Sequence, residues 1–111
     1  MWQARFAPAE GAEANKTRPC VVVSNDAANR AVERLARGVV TVVPLTSNIS
    51  RVYSFQAFVP ASAGTGVAVD SKAQAEQVRS LDYGRLVKRL GTLDAEQMGA
   101  IDAALTEHLN L

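Results

Sequence analysis

The sequence has little cysteine, no long apolar run and almost no net charge. The single cysteine, Cys20, cannot form an intramolecular disulfide, and no Cys/His cluster has the spacing of a zinc site. No apolar run approaches the ~20 residues that a membrane-spanning helix needs. Residues 1–8 lack the charged and apolar regions of a signal peptide. These absences predict a soluble, cytoplasmic protein with no metal, no cofactor and no membrane contact.

The balance of charges excludes a further class of protein. The 12 Lys+Arg and 11 Asp+Glu leave a formal charge of +1, which excludes a histone-like protein that binds nucleic acid by bulk charge. A local basic patch is still compatible with this net charge. The 111 residues, of which 48% are hydrophobic and 21% charged, have the composition of a globular chain rather than a disordered one. We expect one domain spanning residues 1–111.

Most of the predicted elements are strands. Apolar, β-branched or alternating patterns predict strands at residues 2–7, 20–23, 39–45, 52–59, 72–81 and 86–93. Asn25-Asp26 predicts the start of a short helix that ends before Gly38.

A second helix closes the chain. Asp94 and Gln97 form a capping-box pattern before an amphipathic helix at residues 95–109, whose apolar stripe is Met98, Ile101, Leu105 and Leu109. Together, these elements predict a mostly-β α+β fold, a small bent sheet or barrel with a C-terminal helix packed on it.

Two polar side chains stand at the ends of the predicted core strands. Arg18 follows a long loop predicted at residues 8–17 and precedes Pro19, which fixes it at the start of a predicted buried strand. A guanidinium in this place can bind a phosphate through two hydrogen bonds. Thr46 follows the strand at residues 39–45, and its hydroxyl can donate to a phosphate oxygen or orient a ribose hydroxyl. The plainer interpretations are an exposed arginine at a strand start and a polar Thr-Ser-Asn turn.

Other reactive side chains have structural interpretations. His108, the single histidine, lies near the end of the last helix, where a cation suits the helix dipole. Cys20 lies inside an apolar run and fits a small core residue better than a nucleophile. Glu76, Gln77 and Arg79 fit either a groove wall or a solvated strand face.

The order of the motifs is more specific than any one of them. The loop, Arg18-Pro19 and the apolar run are followed by Ser-Asn-Asp at 24–26, Val-Val-Pro-Leu-Thr-Ser-Asn at 42–48 and Glu-Gln-Val-Arg-Ser-Leu-Asp at 76–82. This series, continued by Arg-Leu-Gly at 89–91, resembles the MazF/PemK family of toxin endoribonucleases from bacterial toxin–antitoxin pairs. The resemblance implies an SH3-like small β-barrel of the MazF/PemK/CcdB type, paired as a homodimer. It also implies metal-independent, sequence-specific cleavage of single-stranded RNA, and inhibition by a MazE-like antitoxin with an acidic, disordered tail.

The resemblance also implies roles for individual residues. Arg18 matches the family's catalytic arginine, Thr46 its catalytic threonine, and Glu13 an acidic loop residue that assists in some members. The flanking positions expected to contact RNA are Lys16, Ser47, Asn48, Arg51, Tyr53 and Gln77. In this chain Ala12 stands where serine is common, and Asn15-Lys16-Thr17 replaces a Gly/Arg-rich stretch.

Two alternatives stay open from the sequence. A toxin of the same fold class binds DNA gyrase without catalysis, and a third kind of protein binds RNA or an antitoxin without cutting. A binding-only toxin does not need an arginine placed to grip a phosphate, so Arg18 favours the nuclease. Incubation of the protein with RNA distinguishes these hypotheses.

Overall fold

The computed structural model describes residues 1–7 and 16–111. Within them the strands are β1 (Trp2–Ala7), β2 (Lys16–Val22), β3 (Val39–Thr46), β4 (Gln56–Val59), β5 (Ser71–Gln74), β6 (Arg79–Asp82) and β7 (Leu86–Arg89), and the helices are α1 (Asp26–Leu35) and α2 (Ala95–Leu109). The prediction of a mostly-β α+β fold with a C-terminal helix is therefore confirmed. None of the described helices is long and apolar enough to cross a membrane.

The strands pair in the order β4-β5-β3-β2-β1-β7, and β6 also pairs with β3. All these pairings are antiparallel. Strand β3 is the centre of the arrangement because it contacts β2, β5 and β6 in turn along its length. Closure of the sheet into a barrel stays a prediction.

Side chains alternate between two core groups along the central strands. Val43 and Leu45 of β3 pack in the larger group, which also contains Ile101 of α2. Val40 and Val42 of β3 pack in the smaller group, together with Cys20 of β2. A strand that is buried on both faces has a continuous run of apolar residues in its sequence. This is why residues 39–45 were predicted as a strand.

The two helices begin where the sequence places their caps. The side chain of Asn25 accepts a hydrogen bond from the backbone N–H of Ala28 at 2.8 Å, which starts α1. Asp94 and Gln97 form the predicted capping box at the start of α2, with bonds of 2.7 and 2.9 Å. The predicted bounds of α2 agree with the structure.

Three predicted strands were too long. Residues 53–56 form a turn, closed by the backbone N–H of Gln56, which donates to the Tyr53 carbonyl at 2.9 Å. Strand β4 therefore begins only at Gln56. The strand predicted at 72–81 is broken by a 3-10 turn at Ala75–Gln77, closed by the Val78 N–H on the Ala75 carbonyl. The last strand ends at Arg89 rather than at residue 93.

Candidate active site

A cleft opens where β2 and β3 separate. Their paired residues run from Val22–Val42 to Cys20–Pro44. Proline lacks a backbone N–H, so Pro19 and Pro44 weaken any continuation of the ladder at this point. Between the diverging parts of the two strands lies a cleft of about 500 Å³, lined on its β2 side by residues 17–19, which still pair with β1, and on its β3 side by residues 45–47.

Arg18 and Thr46 face this cleft from its two sides. If the β2–β3 register is continued by two residues beyond Cys20–Pro44, Arg18 stands opposite Thr46. Both positions fall, by strand alternation, on the face that carries Cys20 and Val42. The structure thus brings together two of the three residues expected to be catalytic.

Each of the two side chains is half-buried, and its backbone is held by a neighbouring strand. Arg18 pairs with Ala4 of β1, and Thr46 pairs with Lys72 of β5. The hydroxyl oxygen of Thr46 accepts a hydrogen bond from the Asn48 N–H at 3.3 Å, which leaves its proton available to a ligand. The guanidinium of Arg18 supplies five donors in a fork that matches a phosphate.

The remaining wall of the cleft is built by a close backbone contact. Gly66 and Leu90 both line the cleft. Gly66 has a φ of +74°, and a Cβ at this position would lie 2.2 Å from the Leu90 carbonyl oxygen. Gly91 makes the reciprocal contact, since its Cβ would lie 2.2 Å from the Gly64 carbonyl oxygen. Glycine at both positions lets the turn at residues 62–67 pack against this segment.

The segment after Thr46 carries most of the residues expected to contact RNA. Ser47 lines the cleft, and Asn48 is exposed beyond it. The Asn48 side chain accepts bonds from Ser50, one of them from its hydroxyl at 2.9 Å. Arg51 and Tyr53 interact with each other, with the guanidinium 5.5 Å from the ring centroid.

Of the predicted site residues whose side chains are described, Asn48, Arg51, Tyr53 and Gln77 are not among those that line the cleft. Glu13 lies outside the described residues, so its role stays a prediction. Lys16 begins β2, paired with Ala7, and its side chain is likewise not described. Gln77 lies exposed in the 3-10 turn at Ala75–Gln77, away from the cleft-lining residues.

Sequence reasoning missed Lys72, Ser71 and Gln3. Ser71 and Gln3 line the cleft, and Lys72 is the register partner of Thr46. The sequence carried no signal for Lys72: residues 71–73 are all buried in the structure, and a lysine in a predicted strand with many polar residues gives no sign of burial.

Cys20 and His108 take the structural positions that the sequence predicted for them. Cys20 is fully buried, and burial raises the pKa of its thiol to about 12, so the thiol is protonated at neutral pH. His108 lies exposed in the last turn of α2. Within residues 1–7 and 16–111, no three His, Cys, Asp or Glu side chains form a group that could hold a metal ion.

A family model described as "PemK-like, MazF-like toxin of type II toxin-antitoxin system" matches residues 1–109. The chain belongs to this family. The resemblance drawn from the motifs at positions 18–19, 42–48 and 76–82 is thereby confirmed.

Individual relatives agree with this assignment. Endoribonuclease MazF9 of Mycobacterium tuberculosis is 52% identical to this toxin over 111 residues, covering 100% of this chain and 93% of the relative. The toxin is thus a full-length homologue of an endoribonuclease. The MazE–MazF crystal structure from Deinococcus radiodurans is 27% identical, covers 99% of this chain and 91% of its counterpart, and has a TM-score of 0.74.

A third structure supports the fold alone. An endoribonuclease in complex with its cognate antitoxin, from a mycobacterial species, has a TM-score of 0.73 at 24% identity, covering 99% of this chain and 92% of the other.

Proposed function

We propose that this toxin cleaves single-stranded RNA at specific sequences, without a metal ion, through attack of the ribose 2′-hydroxyl on the adjacent phosphorus. The observation that carries the proposal is the placement of Arg18 and Thr46 on the two sides of one cleft. A full-length endoribonuclease relative at 52% identity supports it. Cleavage of cellular RNA would inhibit translation and growth.

The reaction needs positioning and charge stabilisation rather than a protein nucleophile. The 2′-oxygen forms a bond to phosphorus, the bond from phosphorus to the 5′-oxygen breaks, and the products are a 2′,3′-cyclic phosphate and a 5′-hydroxyl. A base takes the 2′-hydroxyl proton, and an acid returns one to the 5′-oxygen. Arg18 stabilises the negative charge that develops on the phosphorane, the kind of interaction that contributes most to many enzymes.

Thr46 and Glu13 take two of the remaining roles. Thr46 donates its hydroxyl proton to a phosphate oxygen or holds the ribose hydroxyl. Glu13 is the best candidate for the general base, since a guanidinium cannot be deprotonated in proteins.

Base recognition falls to the segment beside the cleft. Bases in single strands are recognised by stacking on aromatic rings and by hydrogen bonds to their edges. Tyr53 is 45% exposed and is stacked on Phe55 with ring centroids 5.2 Å apart, so its ring is supported by a neighbour and still accessible. Arg51, Ser47 and Asn48 add polar groups on the same segment, and Lys16 and Gln77 complete the expected set.

The toxin is expected to act as a homodimer and to bind an antitoxin. Two of its structural relatives are antitoxin complexes. The family resemblance implies a MazE-like partner whose acidic, disordered tail lies over the Arg18 cleft and folds on binding. An acidic chain at this position would compete with the RNA backbone for the same cation.

The deciding experiment uses the ribose itself. We expect a single-stranded RNA with one mapped cut site to be cleaved in EDTA and to give the cyclic phosphate. Replacement of the ribose 5′ to the scissile phosphate by deoxyribose should abolish cleavage with little change in affinity, because the phosphate contact with Arg18 remains. A requirement for magnesium, or cleavage of the deoxy substrate, would contradict the mechanism.

A further inference from the structure

Lys72 is placed next to the candidate catalytic threonine. The β3–β5 register pairs Thr46 with Lys72, and the β5–β4 register pairs Lys72 with Phe58. Opposed residues of antiparallel strands project to the same face, with Cβ atoms about 4.5–5.5 Å apart. Lys72 therefore stands between Thr46 of β3 and Phe58 of β4.

The side chain of Lys72 is buried beneath residues 51–53. It is 8% exposed, an unusual state for a lysine. Its ammonium group donates to the backbone carbonyl of Arg51 at 2.6 Å and lies 5.9 Å from the centroid of the Tyr53 ring. A buried ammonium costs free energy unless polar groups or an aromatic face solvate it. Here residues 51–53 supply both.

These contacts orient Tyr53 from several directions. The ring stacks on Phe55 with 6° between the planes, and its hydroxyl accepts from Arg51 at 3.4 Å. The backbone N–H of Tyr53 donates to the Gln56 side chain at 3.1 Å. Lys72 is the group among these that reaches residues 51–53 from β5, the strand that also pairs with Thr46.

We propose that Lys72 is a positioning residue. It fixes residues 51–53, which lead into the turn at 53–56, relative to Thr46, so that a base stacked on Tyr53 is held in register with the scissile phosphate. This proposal rests on the proposed RNA cleavage. It assigns Lys72 to RNA binding and to the choice of cut site, and it gives Lys72 no part in the chemical step.

The test compares Lys72→Met with Lys72→Arg and with Lys88→Met, a matched loss of one exposed lysine on β7. Binding is measured with the deoxy-substituted RNA, and cleavage with the RNA itself and with versions altered at each flanking base. We expect Lys72→Met to weaken binding by about tenfold, the size of one lost base stack. Its kcat should stay within about threefold of the parent value, and its preference for one flanking base over the others should be weaker. Lys72→Arg, which keeps a donor for the Arg51 carbonyl, and Lys88→Met should behave like the parent.

A double-mutant cycle shows whether Lys72 acts through the ring. Tyr53→Ala should weaken binding as Lys72→Met does, and the double variant should be no worse than Tyr53→Ala alone. Additive losses, or a fall in kcat with unchanged binding, would overturn the proposal. If Lys72→Met does not fold, parent-like binding and cut-site choice in Lys72→Arg support the proposal. A tenfold loss of binding in folded Lys72→Arg would contradict it.

A readout without RNA separates this proposal from the proposed function. Trypsin cuts after Arg51, whose carbonyl Lys72 holds, so Lys72→Met should be cut there faster than the parent and Lys88→Met should not. If the parent cleaves no RNA while this contrast holds, the proposed function fails and the anchoring of residues 51–53 stands. Equal rates of cutting after Arg51 would contradict the anchoring itself.

Discussion

At the scale of single residues, the candidate site depends on a charge held inside β2, rather than at the strand start that the sequence predicted, and beyond the point where β2 stops pairing with β3. Arg18 is half-buried outside both core groups, and its backbone is fixed by pairing with Ala4. A guanidinium held in this way does not need to reorganise as charge develops on the phosphate, and preorganisation of this kind makes a donor effective. We therefore expect removal of the Arg18 side chain to cause a large loss of activity and little loss of stability.

We expect Arg18→Ala to lower kcat by about 100- to 1,000-fold, which corresponds to about 3–4 kcal/mol of lost transition-state stabilisation. Its thermal midpoint should stay close to that of the parent. Arg30→Ala removes one exposed arginine from α1 and is the matched control for the change in net charge. Cleavage rates and melting curves of the two variants check the expectation, and equal activity in both would argue against a catalytic Arg18.

At the scale of elements, local signals were sufficient for some and not for others. The capping box of α2 and the apolar run of β3 are encoded within a few neighbouring residues, and both were predicted from the sequence. The turn at Tyr53–Gln56 and the break at Ala75–Gln77 are stabilised by contacts from elsewhere in the chain. One of these is the 2.7 Å bond from the Gln56 side chain to the carboxylate of Glu76. Alternation alone cannot show such contacts.

The same limit applied to the candidate site. Arg18 and Thr46 each had an ordinary structural interpretation, and the order of motifs along the chain, rather than either residue, singled them out. The role proposed for Lys72 could not be predicted from the sequence, because it depends on residues 51–56, most of which the alternation at 52–59 predicted to be a strand. The cleft itself follows from where the β2–β3 pairing ends.

The turn at residues 62–67 gives a prediction at the scale of elements. Gly66→Ala should lower the free energy of unfolding by about 3 kcal/mol, because it combines a left-handed backbone with overpacking against the Leu90 backbone. Gly99→Ala, at an open position in α2, should raise it by about 0.5–1 kcal/mol. Urea unfolding of both variants measures the difference. A parent-like midpoint for Gly66→Ala would contradict the close contact.

At the scale of the whole molecule, the chain leaves several large apolar side chains exposed. Leu35, Val39, Val87 and Leu109 are each about half exposed, and Leu111 is 85% exposed. We expect the homodimer that the family resemblance implies to bury part of this apolar surface. Sedimentation at micromolar concentration should show twice the 11.8 kDa mass of the chain.

In a dimer the decisive question is whether each catalytic pair belongs to one chain or is shared between two. Arg18 and Thr46 line the same cleft of a single chain, so each subunit should carry its own pair. We therefore expect Arg18→Ala and Thr46→Val subunits, unfolded together in urea and refolded at equal concentration, to cut RNA no faster than either variant alone. If the site were shared between subunits, half of the dimers would be mixed and each would regain one complete site, giving about a quarter of the parent activity. Parent subunits refolded with Arg18→Ala serve as the control, since they show that mixing and refolding preserve intact sites. Recovery near a quarter in the first mixture would mean that the pair seen in one cleft is not the pair that acts.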